Sequence, residues 1–359
     1  MKKIFFAVSF LFGFFVFSKD VFAEDFKDGN YLKGRVEKVN SEEISLKVKM
    51  LEGDLKNKEI DIFQGYGFST SDEISKYYKK GDLVLVGKSE SPDGSFYYVG
   101  DFYRLDALWG ILIVFALIAI IVGGRHGVGA LVGLSLSFFL LMQIFLPSIE
   151  NKKDPIFFAI IISLIILTAN FYLTSGINKK TNIAILSSFI GLFVTILISI
   201  FFIDFAKLSG QGSEEDIIIV SLGLEFLNFK SLLVASFLIG VVGVIDDVII
   251  SQISTIFELK KMNPKVSFSH LFLSGMNVGK DHAGSMINTL VMAYTSTSIP
   301  LLIILRNQPM FNQNFLYGIN SEIIFTEVSR IIVESIGVLL ILPISTLLAT
   351  LFVLKEKEN

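Results

Sequence analysis

The residues best equipped for chemistry in this chain are acidic and histidyl groups set inside apolar stretches. Asp246 and Asp247 stand together in Gly243-Val244-Ile245-Asp246-Asp247-Val248, and Asp281 and His282 follow Gly279-Lys280 and precede Ser285 and Asn288. Gly240, Gly243, Asp247, Ser251 and Ser254 recur every three or four positions, so on a helix they form one narrow face of small and polar side chains. Asp246 points about 100° away from Asp247, among Ile239, Val242 and Ile253, toward a different neighbour. Asp281, Ser285 and Asn288 also share a helix face. Such oxygen-rich groups suit a proton or a hard cation, while His282 can relay protons or bind a divalent ion. Each has a plainer reading: the two aspartates can mark the interfacial end of a span, and Asp281 can cap a helix that begins beside it.

Gly123-Gly124-Arg125-His126-Gly127 reads as a tight turn, where Arg125 either anchors topology or holds an anionic head group. Glu327, Arg330 and Glu334 are spaced to neutralise one another on a single helix face, which reads as structural. With no cysteine there is no disulfide, thiolate metal site or cysteine nucleophile, and no phosphate-binding Gly-x-x-x-x-Gly-Lys-Ser/Thr loop occurs. Asp247 and Asp281 could serve an intramembrane aspartyl hydrolase, but Asp247 lacks the Gly-x-Gly-Asp setting such enzymes use. The reading is therefore non-enzymatic, with no cofactor and no assigned metal.

Elements able to hold these groups must be membrane helices. The 359 residues are 52% hydrophobic, the mean hydropathy is +0.65, and charge thins out sharply after Arg104. Seven apolar segments, at residues 107–122, 128–146, 155–173, 182–203, 231–256, 282–305 and 329–354, lie near or above the length needed to cross the hydrocarbon. A net charge of -3 without a long basic tract excludes a nucleic-acid footprint.

Ahead of the spans, residues 1–23 have the charged end, apolar run and small-residue cleavage pattern of a secretory signal peptide. Residues 24–104 read as a soluble, extracytoplasmic domain whose strands, at 31–39, 44–50, 59–64, 83–88 and 96–102, close most economically as an OB-like or SH3-like β-barrel. Residues 105–359 form the transmembrane domain. With the small domain outside, Arg125, Lys179, Lys180, Lys260, Lys261, Lys265, Lys280, Lys355 and Lys357 fall in the cytoplasm and only Lys152, Lys153, Lys207, Lys230 and Arg306 fall outside. The C-terminus is then cytoplasmic. Ser213-Glu214-Glu215-Asp216 and residues 217–227 read as a capped helix in an outer loop, lying in the interface.

Gly243-Val244-Ile245-Asp246-Asp247-Val248, Ser251-Gln252, Asn263-Pro264, Gly279-Lys280-Asp281-His282 and residues 284–294 together resemble the YibE/F family of bacterial membrane proteins, over about residues 105–354. Lys280 stands where arginine is expected, and Thr295-Ser296-Thr297-Ser298 replaces a smaller, more apolar stretch. The resemblance implies a multi-pass protein of the bacterial plasma membrane but brings no established activity. Function is therefore read from the residues: a transporter or channel-like protein with a site at Arg125, Asp246, Asp247, Ser251, Asp281, His282, Ser285 and Asn288. The alternative is a non-transporting envelope assembly protein whose external domain recruits a partner; besides that partner, only the lipid bilayer is implied.

Overall fold

The computed structural model describes residues 31–40, 44–63, 77–91, 94–212, 214–307 and 315–355. The signal peptide expected at residues 1–23 lies outside the described residues, as do Gln64, Ser213 and Lys357. The chain divides into two compact units, Met1–Gly124 and Arg125–Asn359.

Among its described residues the first unit holds five antiparallel strands: β1 (Tyr31–Asn40), β2 (Ser45–Met50), β3 (Glu59–Phe63), β4 (Leu83–Ser91) and β5 (Gly94–Phe102), in the order β3-β2-β1-β4-β5. They follow from alternation: Leu46, Val48 and Met50 are wholly buried, while Lys47 and Lys49 between them keep contact with solvent. Val36, Ile62, Val84 and Val86 complete the interior with Tyr78, whose ring packs against Tyr77 and Phe102. The edge strands β3 and β5 approach each other, so the sheet curls upon itself. Lys33 on β1 bonds to Asp106 at 3.0 Å and lies 3.7 Å from the ring of Tyr103, fixing the sheet to the helix that follows it.

That helix, α1 (Leu105–Leu140), runs through a π-helical turn, Leu141–Phe145, into α2 (Leu146–Glu150). The tight turn expected at 123–127 is a sharp kink at Gly124, where two helices meet: Gly124 leaves helical geometry, with φ 54 and ψ -124, a conformation that suits a residue without a Cβ. After it come α3 (Pro155–Ser175), α4 (Lys179–Phe205), α5 (Glu214–Ser221), α6 (Phe229–Met262), α7 (Phe268–Thr297), α8 (Ile299–Asn307), α9 (Phe315–Ile319) and α10 (Glu322–Lys355). Their starts are capped as their sequences allow, by Asp154, Asn178, Asn228 and Ser267 on α3, α4, α6 and α7. In the second unit α6 is central, packed by α3, α4, α7 and α10, while α10 also packs on α4 and α7. Pro343 lies inside α10.

Among the described residues five helical runs are long and apolar enough to cross a membrane: Leu105–Glu150, Pro155–Ser175, Lys179–Phe205, Phe229–Met262 and Glu322–Lys355. The difference from seven has two sources. The first two expected segments lie in one 46-residue run. The sixth is divided: α7 begins at Phe268, well before 282, and breaks at Ser298 before α8. Capping by Asp281 is thereby corrected, because Ser267 caps this helix and Asp281 lies well inside it. The loop helix is also shorter than expected, ending at Ser221.

Candidate functional site

The polar face expected on α6 exists and is longer than the sequence reading made it. Extended backward by one helical step it includes Ser236, so Ser236, Gly240, Gly243, Asp247, Ser251 and Ser254 form one stripe. From Ser236 to Ser254 it covers about 27 Å at ~1.5 Å per residue. Asp247 and Ser251 are exposed on it, and a Cβ at Gly243 would meet nothing within 4 Å.

At Gly240 the stripe meets a carboxyl group. Glu334 of α10 is completely buried, and the hydroxyl of Tyr294 on α7 donates to it, 2.9 and 2.8 Å from its two oxygens. A Cβ on Gly240 would overlap Oε1 of Glu334, so only glycine leaves room for this group. The self-neutralising trio expected on α10 is corrected accordingly. Arg330 pairs with Glu327, at 3.6 Å, donates to Ser236 at 3.2 Å and lies over the ring of Phe237, while Glu334 turns to α7. No local spacing signals this, since Tyr294 and Glu334 are 40 residues apart. The available cue was a tyrosine in an apolar segment, which when buried needs a partner for its hydroxyl.

Arg330, Glu327 and Ser236 line a cleft of about 650 Å³ together with Thr297, Ser298 and Thr326. Gly210 and Gly212 contribute to its wall, held there because Glu322 accepts from Ser209 and Gly210 backbone amides at 2.6 and 2.8 Å. At the other end of the stripe, Ser254 lines a second cavity, of about 510 Å³, with His126, Lys179 and Lys180. Between the two ends, Gln252 ties three helices, giving its amide to the Gly275 carbonyl on α7 at 2.8 Å and to Thr346 on α10 at 2.7 Å.

The remaining site residues fall as follows. Asp246 leaves the stripe, as its angle requires, and finds the side chain of Asn170 on α3 as its hydrogen-bond partner. His282 is partly buried, and its Nε2 is enclosed without a hydrogen-bond partner. Asp281, Ser285 and Asn288 are exposed, for α7 buries Leu271, Gly275, Gly279, Ala283 and Leu290 instead. Arg125 is exposed too, while its neighbour His126 reaches the second cavity. Asp247 and Asp281 lie on packed helices, and among the described residues no bond joins them. Among the described residues no group of three or more His, Asp and Glu side chains is placed to hold a metal ion.

Neither a curated protein nor a solved structure matches this chain significantly. The family model described as YibE/F-like protein matches residues 111–355, which takes in every element of the stripe, its two cavities and the buried carboxyl group. With five helices of membrane length in a chain so matched, this is a membrane protein, and it belongs to the YibE/F-like family.

Proposed function

We propose that this protein passes a proton or small cation across the membrane along the stripe of α6, with Glu334 and Asp247 as its carboxylate stations and the two cavities as its mouths. The observation that carries the reading is the buried Glu334 seated against Gly240, on the same α6 face as Asp247. Ionisable groups at membrane depth are costly and are kept where they hold or relay charge. The stripe's length of about 27 Å approaches the ~30 Å of the hydrocarbon core. Asp246, Ser251 and His282 adjoin this route; Asp281, Ser285, Asn288 and Arg125 are assigned to its surroundings. The protein performs no catalysis and needs no cofactor in this reading.

The orientation proposed with it places the β-domain outside the bacterial plasma membrane and the C-terminus inside. Seven crossings are kept: the run Leu105–Glu150, at ~1.5 Å per residue about 69 Å long, has the length for two, divided at Gly124, and α7 with α8 supplies the sixth. The sheet, with its edge strands drawn together, is read as a partly open OB-like barrel.

The test is flux in proteoliposomes. Glu334→Gln and Asp247→Asn are expected to abolish pH- or cation-driven flux at an unchanged amount of folded protein, and Asp281→Asn to retain it. Full flux in Glu334→Gln ends the proposal.

An observation on the β-domain favours a second role. Tyr31, Phe96 and Tyr98 form an aromatic group, with Tyr98 donating to the Tyr31 hydroxyl at 3.0 Å, and Tyr31 and Phe96 are exposed. Exposed aromatics of this kind suit a docking partner in the envelope. Replacing Tyr31 and Phe96 by serine is expected to abolish co-purification of such a partner and leave flux intact.

A further inference from the structure

The exposed face of α7 is not one made to meet lipid. Lys280, Gly284 and Asn288 stand on one row at four-residue spacing, with Asp281, Ser285 and Thr289 on the row beside it, and all of them are exposed. On α4, by contrast, the exposed positions at helical spacing are Leu186, Phe189, Phe193 and Leu197, which hydrocarbon accepts. Thr289 returns its hydroxyl to the Ser285 carbonyl of its own helix at 3.0 Å, but among the described residues the side chains of Ser285 and Asn288 bond to nothing. Asn288 is the costly member. In the sixth crossing proposed above it lies about 12 Å deeper than Lys280 at ~1.5 Å per residue, where no water takes the place of a missing partner.

The chemistry of the face narrows what covers it. A carboxamide donates through its nitrogen and accepts through its oxygen, so two Asn288 side chains facing each other across a two-fold axis satisfy one another. Lys280 and Asp281 set opposite charges side by side at one level, so on the same axis Lys280 meets the partner subunit's Asp281. An apolar helix offers neither match. Gly284 lies one turn from both Lys280 and Asn288, and a Cβ there would meet nothing within 4 Å, which leaves room for a second backbone to come close. We propose that the protein is a homodimer joined along this face of α7, with its two-fold axis along the membrane normal and Asn288 paired across it. The proposal rests on the sixth crossing and not on what the α6 route carries.

The chain has no cysteine, so an introduced one reports alone. In membranes containing the full chain, Thr289→Cys is expected to form a cross-linked dimer under copper phenanthroline, and Phe193→Cys, on the lipid-facing side of α4, to stay single. Adding Asn288→Leu to Thr289→Cys should lower the cross-linked fraction by about fivefold, the effect of one interhelical hydrogen bond in a membrane. Asn288→Gln keeps the carboxamide and should retain most of it. Equal cross-linking at positions 289 and 193, or undiminished cross-linking with Asn288→Leu, overturns the interface. Maleimide labelling of Thr289→Cys without oxidant separates the two readings. Slow labelling with no cross-link overturns the dimer and leaves the crossing standing, because the face is then covered by lipid or another chain. Rapid labelling with no cross-link places the residue in water and overturns the crossing and the dimer together.

Discussion

The hydroxyl of Tyr294 on α7 lies 2.9 and 2.8 Å from the two oxygens of Glu334 on α10, inside the helical unit and against Gly240 of α6. A buried carboxyl group is thus held by one named donor, and losing that donor leaves it with an unmet requirement of about 1–3 kcal/mol. Tyr294→Phe is expected to lower stability by that amount and to reduce flux at least tenfold. The double change with Glu334→Gln should cost less than the sum of the two single changes, because both remove one interaction. Additive losses in thermal unfolding would show that the pair does not act together.

Gly240 and Gly243 offer a controlled comparison on one helix face. Gly240→Ala places a methyl group on Oε1 of Glu334 and should cost about 1–3 kcal/mol, the usual range for overpacking, with loss of flux. Gly243→Ala meets nothing within 4 Å and should be neutral, or stabilising by up to about 1 kcal/mol. Equal effects of the two alanines on Tm would contradict the seating of Glu334.

Gln252 is almost fully buried, and its amide serves both α7 and α10. Gln252→Leu is expected to destabilise the helical unit by about 1–3 kcal/mol, through the bonds lost at Gly275 and Thr346. Thermal scans of detergent-purified protein check this, and a variant as stable as the parent would show the bonds to be dispensable.

In the β-domain, burial, aided by Tyr77 and Asp101, pushes the Tyr78 phenol up to about 12. The ordinary value is ~10, so the folded state holds this proton more tightly than the unfolded one. The resulting stability is complete below pH about 10 and is lost as pH rises through about 12. Tyr78→Phe should flatten the alkaline fall in stability between those limits, followed by circular dichroism of the sheet. An identical alkaline profile in the variant would exclude Tyr78 as its source.

The strands were legible because apolar and polar residues alternate between turn signals, as in Leu46-Lys47-Val48-Lys49-Met50, where the apolar residues are buried and the lysines only partly so. The α6 face was legible for the same kind of reason, since its spacing of three and four needs no partner to be seen. What escaped was long-range. Glu334 has Arg330 one turn away, so the local pairing concealed its bond to Tyr294. The start of α7 escaped because Ser267, His270, Asn277 and Lys280 read as a polar connection, whereas the helix buries one narrow face and leaves these residues exposed.

Pro343 has no amide hydrogen, so the carbonyl of Leu339 lacks the donor that a helix would otherwise supply four residues later. The missing bond falls between Glu334, which answers to α7 through Tyr294, and Thr346, which answers to Gln252 on α6. Helix α10 stays continuous through this point, so the one missing bond sits between the carboxyl group and the glutamine tie and is where the helix is least costly to bend.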